Sequence, residues 1–302
     1  MSSSGQIVEA AITRVLVGID FSESSEKALR HAIAISRSYG AKFYFVHVVG
    51  SLGFAMAGPD ATAAAEEASS RDMQKLEAYL LQTGALAGIR YQAIVCQGET
   101  WHELQRIAEE QKVDLIVVGT HGRTGLRKIA LGSVAEAVFR HAMCPVLTLG
   151  PCAPAEAPPN TKLRHILCPV DLSPESAYAA AYAASLARQH ESRLTIAHVV
   201  EHREDAKTDE QERDFEARLR KHSPGEFLHN WTFRTQLGPI DQTILDLSEE
   251  GRVDLIVLGV RSSHSFTHPH GWPHAYKVAC AACCPVLTLR CGTEWSNDAE
   301  RP

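Results

Sequence analysis

The chain has 302 residues, room for roughly two domains, and its 45% hydrophobic and 22% charged content is that of an ordinary globular protein. Its net charge of −6 argues against nucleic acid as the main partner, because such binders present a basic face. No run of 18 apolar residues offers a membrane span, and the opening MSSSGQIVEA lacks the basic-then-apolar order of a secretory signal, so a cytoplasmic location is expected.

The first apolar run, VLVGID, ends in an acidic residue at Asp20. Behind it, apolar residues at 28, 29, 32, 33 and 35 mark one face of a helix. Apolar runs then alternate with helical patterns, the signature of βαβ units and a parallel sheet. Strands are expected near 13–19, 42–49, 89–96, 113–119 and 145–149, and helices near 23–39, 60–83, 100–111 and 132–142. Val113 to Val118 is almost continuously apolar, apart from Asp114, as in a strand buried on both faces.

The pattern then repeats. Asp20 matches Asp171, Ser22 matches Ser173, and the HVV at 47–49 matches that at 198–200, all at an offset of 151. VDLIVVG at 113–119 matches VDLIVLG at 253–259, and CPVLTL recurs at 144–149 and 284–289, both at an offset of 140. The chain therefore reads as two copies of one domain. Domain 1 spans 1–150, the proline- and alanine-rich stretch 151–163 is a linker, domain 2 spans 164–291, and 292–302 is a tail. Ser173-Pro174 is an N-cap followed by proline at the first helical position, which fixes the strand–helix turn there and, by the repeat, at Ser22.

The eight cysteines form no CxxC framework. Five of them, Cys96, Cys144, Cys168, Cys283 and Cys284, fall in or beside apolar runs, where a free thiol behaves as a small hydrophobe. Cys283 and Cys284 flank a strand expected to be buried, which favours inert thiols over a redox pair.

The stretch GTHGRTGLRKIALGS, residues 119–133, joins the fourth strand to a helix. Its glycines allow close approach of a ligand, and the helix behind it offers unpaired N–H groups and the positive end of a dipole. Ser133 can cap that helix or donate its hydroxyl to a phosphate, and Arg123, Arg127 and Lys128 make the loop cationic. The pattern points to a phosphate or a nucleotide. In a doubly wound sheet the ligand sits beyond the carboxyl ends of the strands where their order reverses. An order that sets strand one beside strand four puts Asp20 and Gly119 on either side of that crevice. Asp20 can bind a ribose hydroxyl or an adenine amine there. It also suits the turn N–H groups before the helix, and the two roles are compatible.

The spacing Gly119-x2-Gly122-x9-Gly132-Ser133, the opening VLVGIDFSESSEKAL, the HVV and the closing CPVLTL together resemble the universal stress protein family, twice along the chain. The resemblance implies two five-stranded parallel α/β sheets of order 3-2-1-4-5, the adenine nucleotide alpha hydrolase-like fold, with ATP (with or without magnesium) in domain 1. It assigns Gly18, Asp20 and Val48 to adenine and ribose, and Val118 and Gly119 to the ribose and phosphates. Gly122, Gly132, Ser133 and Val134 would cradle the phosphates, with Arg123 beside them. Domain 2 departs from the pattern: Ser262, Trp272 and Pro273 replace Gly122, Gly132 and Ser133. The expected function is a nucleotide-dependent stress-response or regulatory module with one working site and a protein partner the sequence does not name.

No GxxxxGK[ST] motif is present, so dedicated ATP turnover is not expected; a slow ATPase or phosphotransferase is one alternative. A metal-responsive scaffold is another, with His264, His268, His270 and His274 as zinc candidates. His47 and His198 read as packed strand-end residues. The strands within 144–149 and 284–289 are expected at sheet edges, where they could pair the halves as a pseudo-dimer or support further homodimerisation.

Overall fold

The computed structural model describes residues 8–50, 61–120, 131–157, 162–202, 209–222, 231–260 and 271–290. The described residues of 12–148, with 155–157, form one compact unit; those of 8–11, 149–154 and 162–290 form the other.

In the first unit the elements run β1 (Arg14–Gly18), α1 (Glu23–Ser36), β2 (Lys42–Val49), α2 (Ala61–Gln82), β3 (Arg90–Gln97), α3 (Thr100–Glu110), β4 (Leu115–Gly119), α4 (Ser133–His141) and β5 (Val146–Leu149). Helix α1 stops at Ser36 and gives way to a single 3-10 turn, Arg37–Tyr39, closed by Gly40 in the left-handed region. The strand order is β3-β2-β1-β4-β5, with β1 pairing parallel to both β2 and β4. Val15, Leu16 and Val17 of β1 are wholly buried, so both faces of this central strand are covered. The Asp114 carboxylate holds β1 in register with β4, accepting from Thr13 N at 2.9 Å and Arg14 N at 3.1 Å.

The second unit repeats the plan: β6 (His165–Val170), α5 (Pro174–His190), β7 (Arg193–Val200), α6 (Asp209–His222), β8 (Trp231–Leu237), α7 (Ile240–Glu250), β9 (Leu255–Val260), α8 (Gly271–Ala281) and β10 (Val286–Arg290). Its order is β10-β9-β6-β7-β8. Asp254 does for β6 what Asp114 does for β1, accepting from Arg164 N at 2.7 Å and His165 N at 3.0 Å. Helix α5 is alanine-rich and buried on most of its circumference, with Ala179, Ala180, Ala181 and Ala183 at 0% exposure. Residues 8–11 pack here, although they precede β1 in the chain. Ala10 N donates to Ser185 Oγ, and Gln189 Nε2 donates to Ala10 O, both at 2.9 Å.

The cysteine expectation needs one correction. Cys284 is buried as expected, but Cys283 lies in the bend before β10, outside the strand, and is exposed.

Candidate functional site

Beyond the carboxyl ends of β1, β2 and β4 lies a cavity of about 540 Å³. Its first wall comes from the end of β1. Gly18, Ile19 and Asp20 line it, and the chain turns at Phe21, whose φ of 62° is left-handed and unusual for a bulky residue. That turn aims Asp20 back at the start of α1. Asp20 Oδ1 accepts from Ser22 N at 3.0 Å and from Ser22 Oγ at 2.5 Å, and Ser22 Oγ caps α1 through Ser25 N at 3.1 Å. The turn-binding role foreseen for Asp20 is therefore present, and the residue lines the cavity as well.

The second wall is β2, with Val46 to Val49. His47 is 6% exposed, and its Nδ1 lies 2.7 Å from the Ile19 carbonyl. A carbonyl oxygen only accepts, so Nδ1 carries the proton and ties β2 to the end of β1. The same bond recurs in the second unit, where His198 Nδ1 donates to Val170 O at 2.9 Å. There, Nε2 is buried with no hydrogen-bond partner among the described residues.

Across the cavity stand Val118 and Gly119 at the end of β4, then Gly132, Ser133 and Val134 at the start of α4. Gly132 N donates to Thr120 O at 2.7 Å, and Gly132 itself is the N-cap of α4, with φ −61° and ψ 156°. Ser133 is the first residue inside the helix, so the N-cap position falls to glycine, which has no side chain to cap with. Among the described residues, the cavity thus receives orphan N–H groups and the positive end of the α4 dipole.

Gly119 has a second reason to be glycine. A Cβ there would stand 2.7 Å from the backbone carbon of Ser24, so the first turn of α1 leaves no room for a side chain. Gly259 in the second unit is under the same constraint, with the backbone carbon of Glu175 at 2.7 Å.

Helices α2 and α3 complete the site with residues the sequence reading did not single out. Asp72 and Lys75 of α2 and Thr100 of α3 line the cavity. Lys75 Nζ sits 4.2 Å from the centre of the Phe21 ring, and that ring packs at a tilt on His47, with centroids 4.5 Å apart. Asp72, Lys75 and Tyr79 share one face of α2 by their spacing, but a charged helix face ordinarily means solvent, so the pattern carried no distinguishing signal. Burial pushes the Tyr79 phenol up to about 12, which keeps it neutral beside this wall.

Gly18, Asp20, Val48, Val118, Gly119, Gly132, Ser133 and Val134 are therefore brought around one cavity. Gly122 and Arg123, with Arg127 and Lys128, lie outside the described residues. So do His264, His268 and His270. His274 is described: its Nδ1 lies 3.1 Å from Asp241 Oδ1, and Lys277 Nζ lies 3.1 Å from Asp241 Oδ2. Its ring is thereby committed to an ion-pair cluster with α7. Among the described residues no group of three or more His, Cys, Asp or Glu side chains could hold a metal, and no helix is long and apolar enough to cross a membrane.

A parallel sheet of order 3-2-1-4-5 with a cleft at its reversal point defines an α/β protein of the adenine nucleotide alpha hydrolase-like class. The chain belongs to the universal stress protein family, whose family model matches residues 11–149 and again 162–290. It is similar to Universal stress protein MJ0531 of Methanocaldococcus jannaschii, 34% identical over 139 residues that cover 45% of this chain and 81% of the relative. With Universal stress protein Mb2028c of Mycobacterium bovis it shares 33% identity over 134 residues, 44% of each chain. Among solved structures, a universal stress protein from Archaeoglobus fulgidus covers 93% of this chain and 97% of its own, with a TM-score of 0.67 and 22% identity, a likeness of fold.

Proposed function

We propose that the first unit binds an adenine nucleotide, ATP in the first instance, and that the protein acts as a nucleotide-dependent stress-response module with one working site. The observation that carries this reading is the single cavity shared by the Asp20 carboxylate and the N-terminus of α4. A volume of about 540 Å³ falls within the range of small-molecule and cofactor sites. The two chemistries suit the two ends of a nucleotide. Asp20 accepts hydrogen bonds from ribose hydroxyls or the adenine amine. The N–H groups of the first turn of α4, with the Ser133 hydroxyl, donate to phosphate oxygens, and the helix dipole favours their charge. The apolar side chains of Val48 and Val118 flank the base and sugar. Lys75 adds a cation at the rim, a contribution this structure suggests and the sequence pattern did not.

The test uses a variant that keeps the helix capped. Aspartate is a favoured N-cap, so Gly132→Asp leaves α4 intact while setting a carboxylate against the phosphates. Calorimetric titration should show ATP affinity reduced by at least about tenfold and adenosine affinity much less affected. Equal ATP affinity in the two proteins would remove α4 from the site. Nucleotide extracted from the purified protein gives a second readout: one ATP per chain supports a binding module, and ADP in its place would bring slow hydrolysis forward.

A further inference from the structure

Among the described residues two cysteines are exposed, Cys152 and Cys283, while Cys96 and Cys144 are half-buried and Cys168, Cys280 and Cys284 are buried. The two exposed thiols lie 131 positions apart in the sequence, yet the fold makes them neighbours, near enough for Cys152 to act on the Cys283 thiol. Backbone packing brings them together. Gly150 lies so close to the turn before β10 that a Cβ on it would stand 3.0 Å from the Ala282 carbonyl. On that side, Ala153 N donates to Gly150 O at 3.1 Å and closes the turn that carries Cys152. On the other, Ala282 N donates to Val278 O at 2.9 Å and fixes the residue before Cys283. Both residues belong to the second compact unit.

We propose that Cys152 and Cys283 are a redox site that closes to a reversible intramolecular disulfide when the protein meets a peroxide. Gly150 packs against the Ala282 carbonyl and holds the two turns together, and a disulfide requires that the neighbouring sulfurs approach to roughly 2.0 Å, which side-chain rotation at two exposed positions supplies. Partial desolvation, reinforced by Cys152 and Glu249, pushes the Cys283 thiol up to about 11, so Cys283 rests protonated. Cys152 attacks one peroxide oxygen, the O–O bond breaks, and Cys152 becomes a sulfenic acid as the first water leaves. Cys283 then gives up its proton towards Glu249, whose Oε1 lies 3.9 Å away, and its sulfur attacks that of Cys152. The S–O bond breaks and the oxygen departs as the second water. Two thiols and one hydrogen peroxide thus yield one disulfide and two waters, with the two electrons passing from sulfur to oxygen. The product pins the chain after β5 to the turn between α8 and β10. The loop it closes is long, and long loops are where a cross-link constrains the unfolded chain most.

The test treats the reduced full-length protein with a small excess of hydrogen peroxide, alkylates the remaining thiols and maps the digest by mass spectrometry without reduction. The expected result is a linked Cys152–Cys283 peptide, the loss of two titratable thiols per chain, a thermal midpoint several degrees higher, and reversal of all three by dithiothreitol. Cys152→Ser and Cys283→Ser should each abolish the link, and Cys144→Ser should leave it. A link from Cys283 to Cys284 or Cys291, a bond between two chains, or stable over-oxidation of Cys152 alone would overturn the proposal.

Discussion

The two units of this protein share what packs and differ in what would touch a ligand. Ser22 and Ser173 cap the first helices alike, each Oγ accepting from the N–H three residues on, at 3.1 and 3.2 Å. Phe21 and Leu172 occupy the same left-handed position, both with φ 62°. Asp114 and Asp254 clamp equivalent strands, and Gly119 and Gly259 yield to equivalent helix turns. The difference falls at the last helix. In the first unit α4 begins at Ser133 behind Gly132; in the second α8 begins at Gly271, two residues earlier in the repeat frame, and takes Trp272 and Pro273 into its first turn. A proline there has no N–H to offer a phosphate. The packing constraints are therefore common to both copies, and the ligand pattern changes where the last helix begins. The second copy keeps its fold because the residues that build the fold are not those that would hold a triphosphate.

The largest expected effect tests that separation directly. Gly119→Ala and Gly259→Ala should each destabilise by about 3 kcal/mol, since the new Cβ meets backbone. Urea unfolding of the full chain measures both. Were Gly259→Ala neutral while Gly119→Ala abolished nucleotide binding without loss of stability, the shared-packing account would be wrong.

Next come the strand clamps. Asp254→Ala leaves the Arg164 and His165 N–H groups without their charged acceptor and should cost about 2 kcal/mol, with Asp114→Ala similar in the first unit. A marked asymmetry between them in the same unfolding assay would show that the clamp is not equivalent in the two copies. The caps should be smaller again. Ser22→Ala and Ser173→Ala are each expected to cost about 1 kcal/mol. Only Ser22→Ala should also weaken ATP binding, because Ser22 holds the Asp20 carboxylate.

The smallest effect sharpens a difference between the copies. Position 165 is histidine where the first unit has Arg14, and burial, with Arg193 nearby, lowers the His165 pKa below its ordinary 6.5. The unfolded chain then binds a proton that the native state resists. Stability from this residue is complete above about pH 6.5 and falls as the pH drops towards the lowered native value. His165→Gln should flatten that acid slope in thermal melts between pH 7 and pH 5, and an unchanged slope would assign it to other groups.

Hydrophobic periodicity, the repeat and the turn residues determined a great deal by themselves. Apolar runs and the 3.6-residue period placed the strands and helices of the first copy within a few residues, because buried strands and apolar helix faces have one place to go. Ser173-Pro174 marked the start of α5, and the spacing of Gly119, Gly132 and Ser133 marked one wall of the candidate site. Tertiary structure alone decided the rest. Contacts over long sequence separations leave no local period: Asp72 and Lys75 meet Asp20 in one cavity only after α2 packs against β3. Residues 8–11 lie against α5, and Gly150 lies against the Ala282 carbonyl beside Cys283, for the same reason. Gly119 shows the limit most clearly. Its identity was legible and suggested a ligand, but the Ser24 backbone that also demands it lies nearly a hundred residues away, on a helix whose approach only the folded chain sets.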